Sequence, residues 1–277
     1  MLEQGMTRLH ELMIILYAVS VLLYFLDFVQ KNQRANRIAF WMLTIVWSLQ
    51  TIFLGLYMYN TGRFPVLTLF EGLYFYAWVL ITFSLVLNKL LRMDFTVFFT
   101  NVIGFMIMTI HTFAPMQVES QAAAEKLVSE LLLLHITIAI LSYGAFSLSF
   151  IFSALYLLQY RLLKTKKWNE RLWRLGDLGR LEKLSIVLNA VGVPLLLLSL
   201  ILGLVWKTIK LPDVSWFDLK IVTSFVLLFV YSAFLYIKVR KGVSGKTLAY
   251  INAAAFLIIL MNFFLGSRLS TFHFWYS

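Results

Sequence analysis

Eight apolar runs, each near or above the length that crosses a bilayer, fill most of this chain, and little polar sequence separates them. A transmembrane helix needs ~20 largely apolar residues. In hydrocarbon a spanning segment must satisfy its own backbone, so runs of this length are helices. They fall near residues 10–29, 38–58, 66–88, 95–114, 131–159, 184–206, 218–238 and 248–266. The sequence therefore predicts an all-α integral membrane protein with about eight transmembrane helices. Composition agrees: 61% of residues are hydrophobic and 13% charged, against ~45–50% and ~25% in soluble domains. The fifth run is long, and its Ala- and Glu-rich start, VESQAAAEKLVSELLLLH, has the propensity to begin as a helix outside the membrane.

The connections alternate in charge. Seventeen of the twenty-four Lys and Arg fall in one set of connections, which holds Lys31, Arg34 and Arg37, then Lys89 and Arg92, then eight between Arg161 and Lys183, then Lys238 to Lys246. The positive-inside rule places that set in the cytoplasm. With an even number of spans both termini lie outside, an N-out/C-out arrangement in the cell (plasma) membrane. The net charge of +11 is thereby explained by topology, which removes the nucleic-acid reading. The leader MLEQGMTRLH carries Glu3 before Arg8, and the positive charge follows the first run, the reverse of a secretory signal. No Cys is present, so disulfides, Cys-ligated metals and thioether-linked haem are excluded for this chain.

No GxSxG, HExxH, Walker loop or dinucleotide fingerprint occurs, so the chain is expected not to be an enzyme. No heptad pattern of apolar residues stands out. The four histidines, His10, His111, His135 and His273, all fall at or just beyond the outer ends of spans in this topology. Neutral imidazole is the commonest protein ligand for metals and haem iron, and the ligands of one iron can come from different helices. An interfacial His also tolerates the headgroup region without any function. Trp216, in the outer connection LPDVSWFDLK, stands with Phe217, Asp218 and Lys220. Those residues offer a flat apolar face beside both charge signs, suited to a macrocycle bearing propionates or equally to an interfacial turn. Glu71 and Asp27 read as interfacial acids. Asn189 and Pro194 in the sixth run read as packing residues, Pro194 with a kink.

Several segments resemble the CcsA/ResC/CcmC haem-handling superfamily of cytochrome c assembly proteins. GRFPVLTLFEGLYFYAW is similar to its early signature, and LLHITIAILSYGAFSLSFIFSALYLL to its span with the first outer-face histidine. WFDLKIVTSFVLLFVYSAFLYIKVRKGVSGK lies where the superfamily has a Trp-rich loop and the next helix. MNFFLG at 261–266 with STFHFW resembles the segment bearing the second histidine. The resemblance covers roughly residues 60–277 and leaves 1–59 as a two-span N-terminal extension. It implies haem b, held non-covalently, with His135 and His273 ligating the iron and with Trp216 and Asp218 at the end of the Trp-rich loop. His10 and His111 stand in reserve as ligands. Tyr236 takes the place of the superfamily's membrane-embedded histidine, and the loop reads WFD where the superfamily has several Trp and a WDP-type core.

These departures fit a regulator or haem sensor better than a full cytochrome c synthase. The resemblance is strongest to a branch associated with haem-biosynthesis operons and with lowered amounts of glutamyl-tRNA reductase. The expected partners are thus the lipid bilayer, haem, and glutamyl-tRNA reductase through the cytoplasmic connection 160–183. In that connection Leu162, Leu163, Leu172, Leu175, Leu178 and Leu181 recur with Trp168 and Trp173 among Lys and Arg, as they would in an amphipathic segment on anionic lipid. The alternatives are a haem transporter or cytochrome c assembly subunit, and a small-molecule transporter without haem.

Overall fold

A computed structural model describes residues 2–91, 94–113, 129–165, 177–210 and 215–269. Among them are eight helices: α1 (Leu2–Gln30), α2 (Gln33–Thr61), α3 (Leu69–Leu91), α4 (Asp94–Phe113), α5 (Glu130–Lys164), α6 (Leu178–Lys210), α7 (Leu219–Lys241) and α8 (Lys246–Leu269). All eight are long and apolar enough to cross a membrane. The protein is an all-helical integral membrane protein, as its apolar runs require. The Ala-rich segment before the fifth run lies outside the described residues up to Ser129, which caps α5 by accepting from the Leu132 amide at 3.3 Å.

Contacts divide the chain into two compact units, Met1–Pro115 and Met116–Ser277. In the first, α1 packs on α2, α2 on α3, α3 on α4 and α4 back on α1, closing a four-helix ring. In the second, α5, α6, α7 and α8 close a ring in the same order. The boundary expected between residues 59 and 60 falls in the last turn of α2, inside the first unit.

Both units turn apolar side chains outward and bury polar ones among their apolar cores. Leu12, Ile15, Leu22, Trp41 and Ile52 are exposed in the first unit, and Val187, Val191, Ile201, Phe225 and Phe229 in the second. Ser20, Gln50, Ser84, Asn101, Ser149, Ser185, Asn189 and Asn252 are buried. A protein in water seldom exposes so many large apolar side chains. In lipid, helices gain little by hiding leucine from leucine. They associate through close backbone approach and interhelical hydrogen bonds. Asn101 ties three helices, donating to Ser84 Oγ at 2.7 Å and accepting from Tyr17 Oη at 3.1 Å. In the second unit Asn252 Nδ2 lies within 3.0 Å of Ser149, Ser153 and Ser185, and its Oδ1 accepts from Asn189 at 3.0 Å. Asn189 therefore packs by hydrogen bonding.

The turns follow from local chemistry. Asn32 caps α2, its side chain accepting from the Arg34 and Ala35 amides, and Asp27 is buried and accepts from Asn36 Nδ2 at 2.8 Å. Gly62 ends α2 in the left-handed region at φ 66°, where a side chain would be strained. The α3 start lies three residues later than the sequence suggests, because Thr68 and Glu71 form a capping box: the Glu71 amide donates to Thr68 Oγ1 at 3.1 Å and the Glu71 carboxylate accepts from the Thr68 amide at 3.3 Å. Glu71 is buried, not wet. Arg63 donates to both of its oxygens, at 2.9 and 2.8 Å, and Tyr57 Oη donates at 2.5 Å. Removing one partner of a buried pair strands the other charge. Glu71→Ala should therefore lower the unfolding free energy of the purified protein by about 3 kcal/mol. Denaturant titration in detergent measures this, and an unchanged midpoint would show that the pair contributes nothing.

Candidate functional site

In the second unit the functional candidates gather at the end that holds the α5 N-terminus, the α6 C-terminus and the α7 N-terminus. His135 lies in the second turn of α5 and turns its ring onto α6. Its Nδ1 is 2.6 Å from the Ser199 carbonyl oxygen and 3.0 Å from Ser199 Oγ, and that hydroxyl donates to the His135 carbonyl at 2.9 Å. A carbonyl oxygen only accepts, so Nδ1 carries the proton and Nε2 bears the lone pair. This is the arrangement found behind metal-ligating histidines, where a backbone carbonyl fixes tautomer and ring orientation.

The ring rests on Gly203, one turn beyond Ser199. A Cβ at that position would stand 2.6 Å from His135 Cε1, so the imidazole seat exists only with glycine. One turn further, Lys207 is buried at 2% exposure, and its ammonium sits 4.3 Å from the centre of the Trp216 ring. Ser199, Gly203 and Lys207 thus form one row along α6, from the histidine toward the exposed indole of the next connection. Trp216 and Phe217 are 55% and 88% exposed. Asp218 caps α7, accepting from the Lys220 amide at 2.8 Å. Lys220 Nζ donates to the Asn262 carbonyl at 3.1 Å, which fastens α7 to the α8 segment leading toward residue 273.

His135, Trp216 and Asp218 therefore share one end of one unit. His273 lies outside the described residues. Tyr236 is 58% exposed on α7, away from these groups in sequence and burial. His10 and His111 belong to the first unit, where their ring centres are 4.9 Å apart. Among the described residues no group of three or more His, Cys, Asp or Glu is placed to hold a metal ion. Ser199, Gly203, Lys207 and Asn262 were not expected from sequence. The four-residue spacing of the first three is the signal that could have shown a common face.

The donor set fits a haem. It offers an oriented neutral imidazole, two ammonium groups of the sign that two propionates need, and an aromatic face open to a planar ligand. Residues 66–273 match the family described as cytochrome C assembly protein. The chain belongs to the cytochrome c assembly family. Within it, the chain is 57% identical to the HemX protein of Bacillus subtilis over the full length of both. It is 45% identical to HemX of Brevibacillus brevis over 97% of this chain and 98% of that one. The CcsA cytochrome c biogenesis protein of Chlamydomonas reinhardtii is 28% identical over 72% of this chain and 57% of its own. The chain is thus a haem-related, multi-pass membrane member of this cytochrome c assembly family, in the group named HemX.

Proposed function

We propose that this protein binds haem b non-covalently through His135 and His273 and lowers the level of glutamyl-tRNA reductase, acting as a membrane regulator of tetrapyrrole synthesis rather than as an enzyme. The observation that carries the haem reading is the seat of His135, oriented by the Ser199 carbonyl and accommodated only by Gly203. Lys207 and Lys220 would meet the propionates, and Trp216 would cover one face of the macrocycle. When bound, haem would supply an iron that takes imidazole as a ligand. The residues of this chain orient His135, shield its buried side from water and balance the ligand's charge.

In this reading the site faces the exterior and both termini are outside, because the basic connections face the cytoplasm. Reporter fusions after residues 34, 91, 170 and 243 should report cytoplasm, and fusions after 62, 120, 213 and 277 the exterior. Two or more reversed reporters would reject the orientation. The plasma membrane is the compartment, and the connection 160–183 is the surface that meets the reductase.

The relatives named CcsA support a second reading, a haem transporter or cytochrome c assembly subunit. A transporter without haem has less support, because the buried polar groups around Asn252 are largely satisfied by one another. Two measurements separate the three. Purified protein should show a haem absorbance band, whose absence after haem loading would leave only the non-haem reading. Reductase levels should rise when the chain is deleted. Unchanged levels together with lost c-type cytochromes would establish the assembly role.

A further inference from the structure

The first unit holds a cluster, buried at its methionines and half-buried at its histidines, that the haem site does not use. His10 and Met13 stand one turn apart on α1, and Met108 and His111 one turn apart on α4. These two pairs read His-x-x-Met and Met-x-x-His. Met13, Met108 and the intervening Gln50 and Tyr74 are nearly inaccessible, at 0%, 1%, 0% and 4% exposure. Tyr74 joins the halves. Its ring centre lies 6.0 Å from that of His10 and 5.5 Å from that of His111, and its hydroxyl is 3.8 Å from Met13 Sδ. Gln50 Nε2 is 3.8 Å from Met108 Sδ.

Two polar atoms of the cluster have no hydrogen-bond partner. Thr112 Oγ1 donates its only proton to the Met108 carbonyl at 2.9 Å, so at 3.0 Å it must accept from His10 Nε2. That puts the His10 lone pair on Nδ1. His111 Nδ1 and Gln50 Oε1 are buried with no hydrogen-bond partner. Buried polar atoms left unpaired are rare and costly, and buried lone pairs are relieved by a cation.

Three observations narrow the cation. Two imidazoles on one ion at tetrahedral angles, with a metal–nitrogen length of about 2 Å, have ring centres roughly 5 Å apart. His10 and His111 stand at 4.9 Å. Axial imidazoles on opposite faces of a porphyrin need roughly 6 Å with the macrocycle between them, so this pair suits a bare ion and not a haem. Thioether sulfur selects soft ions, Cu(I) first among the common ones. The seven side chains named carry no carboxylate, so a monovalent ion costs less to bury than a divalent one.

The geometry points to a buried metal site in which His10, His111, Met13 and Met108 hold one Cu(I) ion. It is independent of the haem reading, since it uses neither His135 nor His273. The full chain, purified in detergent without haem, would be titrated anaerobically with Cu(I) against a chromogenic Cu(I) chelator. About one ion per chain should bind, and X-ray absorption should show sulfur as well as nitrogen around the copper. Met13→Leu with Met108→Leu nearly conserves volume and should leave the fold intact. It should weaken Cu(I) binding on the order of 100-fold. His135→Ala should change neither stoichiometry nor affinity. No binding by the wild-type chain, nitrogen-only coordination, or full affinity in the folded double-Leu variant would each overturn the assignment.

Discussion

Replacing His135 and His273 together with Ala should leave the purified protein without a haem absorbance band. The iron would lose both protein ligands, and this chain has no Cys through which a macrocycle could be held covalently. Apolar burial of the ring and the charges of Lys207 and Lys220 would remain, but neither supplies a bond to the iron. His135→Ala alone should weaken binding on the order of 100-fold or more. Gly203→Ala is the sharper control, because it keeps every donor. The added methyl would fall 2.6 Å from the His135 ring, which must move. Haem affinity should then drop while the protein accumulates in the membrane normally. Serine at 199 should matter less than its backbone, since the Ser199 carbonyl is the shorter contact, at 2.6 Å against 3.0 Å. A wild-type spectrum in the double-His variant would move the ligands elsewhere and remove the basis of the haem reading.

Much of the fold was legible because lipid makes length the dominant signal. All eight expected spans lie largely within helices, and the ends differ where caps decide. Thr68 and Glu71 set the start of α3, and α5 and α6 run on past the apolar stretch to Lys164 and from Leu178. The packing was not legible by the usual route. A search for apolar periodicity fails when every face of a helix is apolar. The information lay instead in small and polar residues. Along α6 the buried positions Ser185, Asn189, Gly192, Leu196, Ser199, Gly203 and Trp206 alternate by fours and threes. Gly192 admits the Phe146 ring as Gly203 admits His135. The same shift of attention recovers the site. His135 was visible as a histidine near a helix end, but its tautomer depends on Ser199, 64 positions away. Glu71 read as a wet interfacial acid because its partner Arg63 sits in a connection whose path the sequence does not give. His10 and His111 were visible singly. That they face one another required the α1–α4 contact closing the first ring.

Reversing the charge of Arg171, Arg174 and Arg180 to Glu should raise reductase levels as strongly as deleting the whole chain, if the connection 160–183 is the regulatory surface. Residues 166–176 lie outside the described residues, but the flanks of the connection are helical: Arg161 and Lys164 belong to the last turn of α5, and Arg180 and Lys183 to the start of α6. Helix ends of this kind project basic side chains beyond the membrane. The same groups attract anionic lipid at about 1 kcal/mol per charge, so three reversals would weaken surface binding by several times that amount. Folding should be spared. Each helix keeps its spanning segment, and the anchor of this end of the second unit is a different contact, Glu182 accepting from Lys238 Nζ at 2.6 Å and from the Gly245 amide at 2.9 Å. Two measurements on one strain decide the matter: the amount of variant in the membrane fraction and the amount of reductase in the cytoplasm. Normal accumulation with raised reductase assigns the connection to a protein partner, because loss of lipid contact alone leaves eight spans in place. Normal accumulation with wild-type reductase levels would confine the connection to the lipid surface and require the regulatory contact to lie elsewhere on the protein.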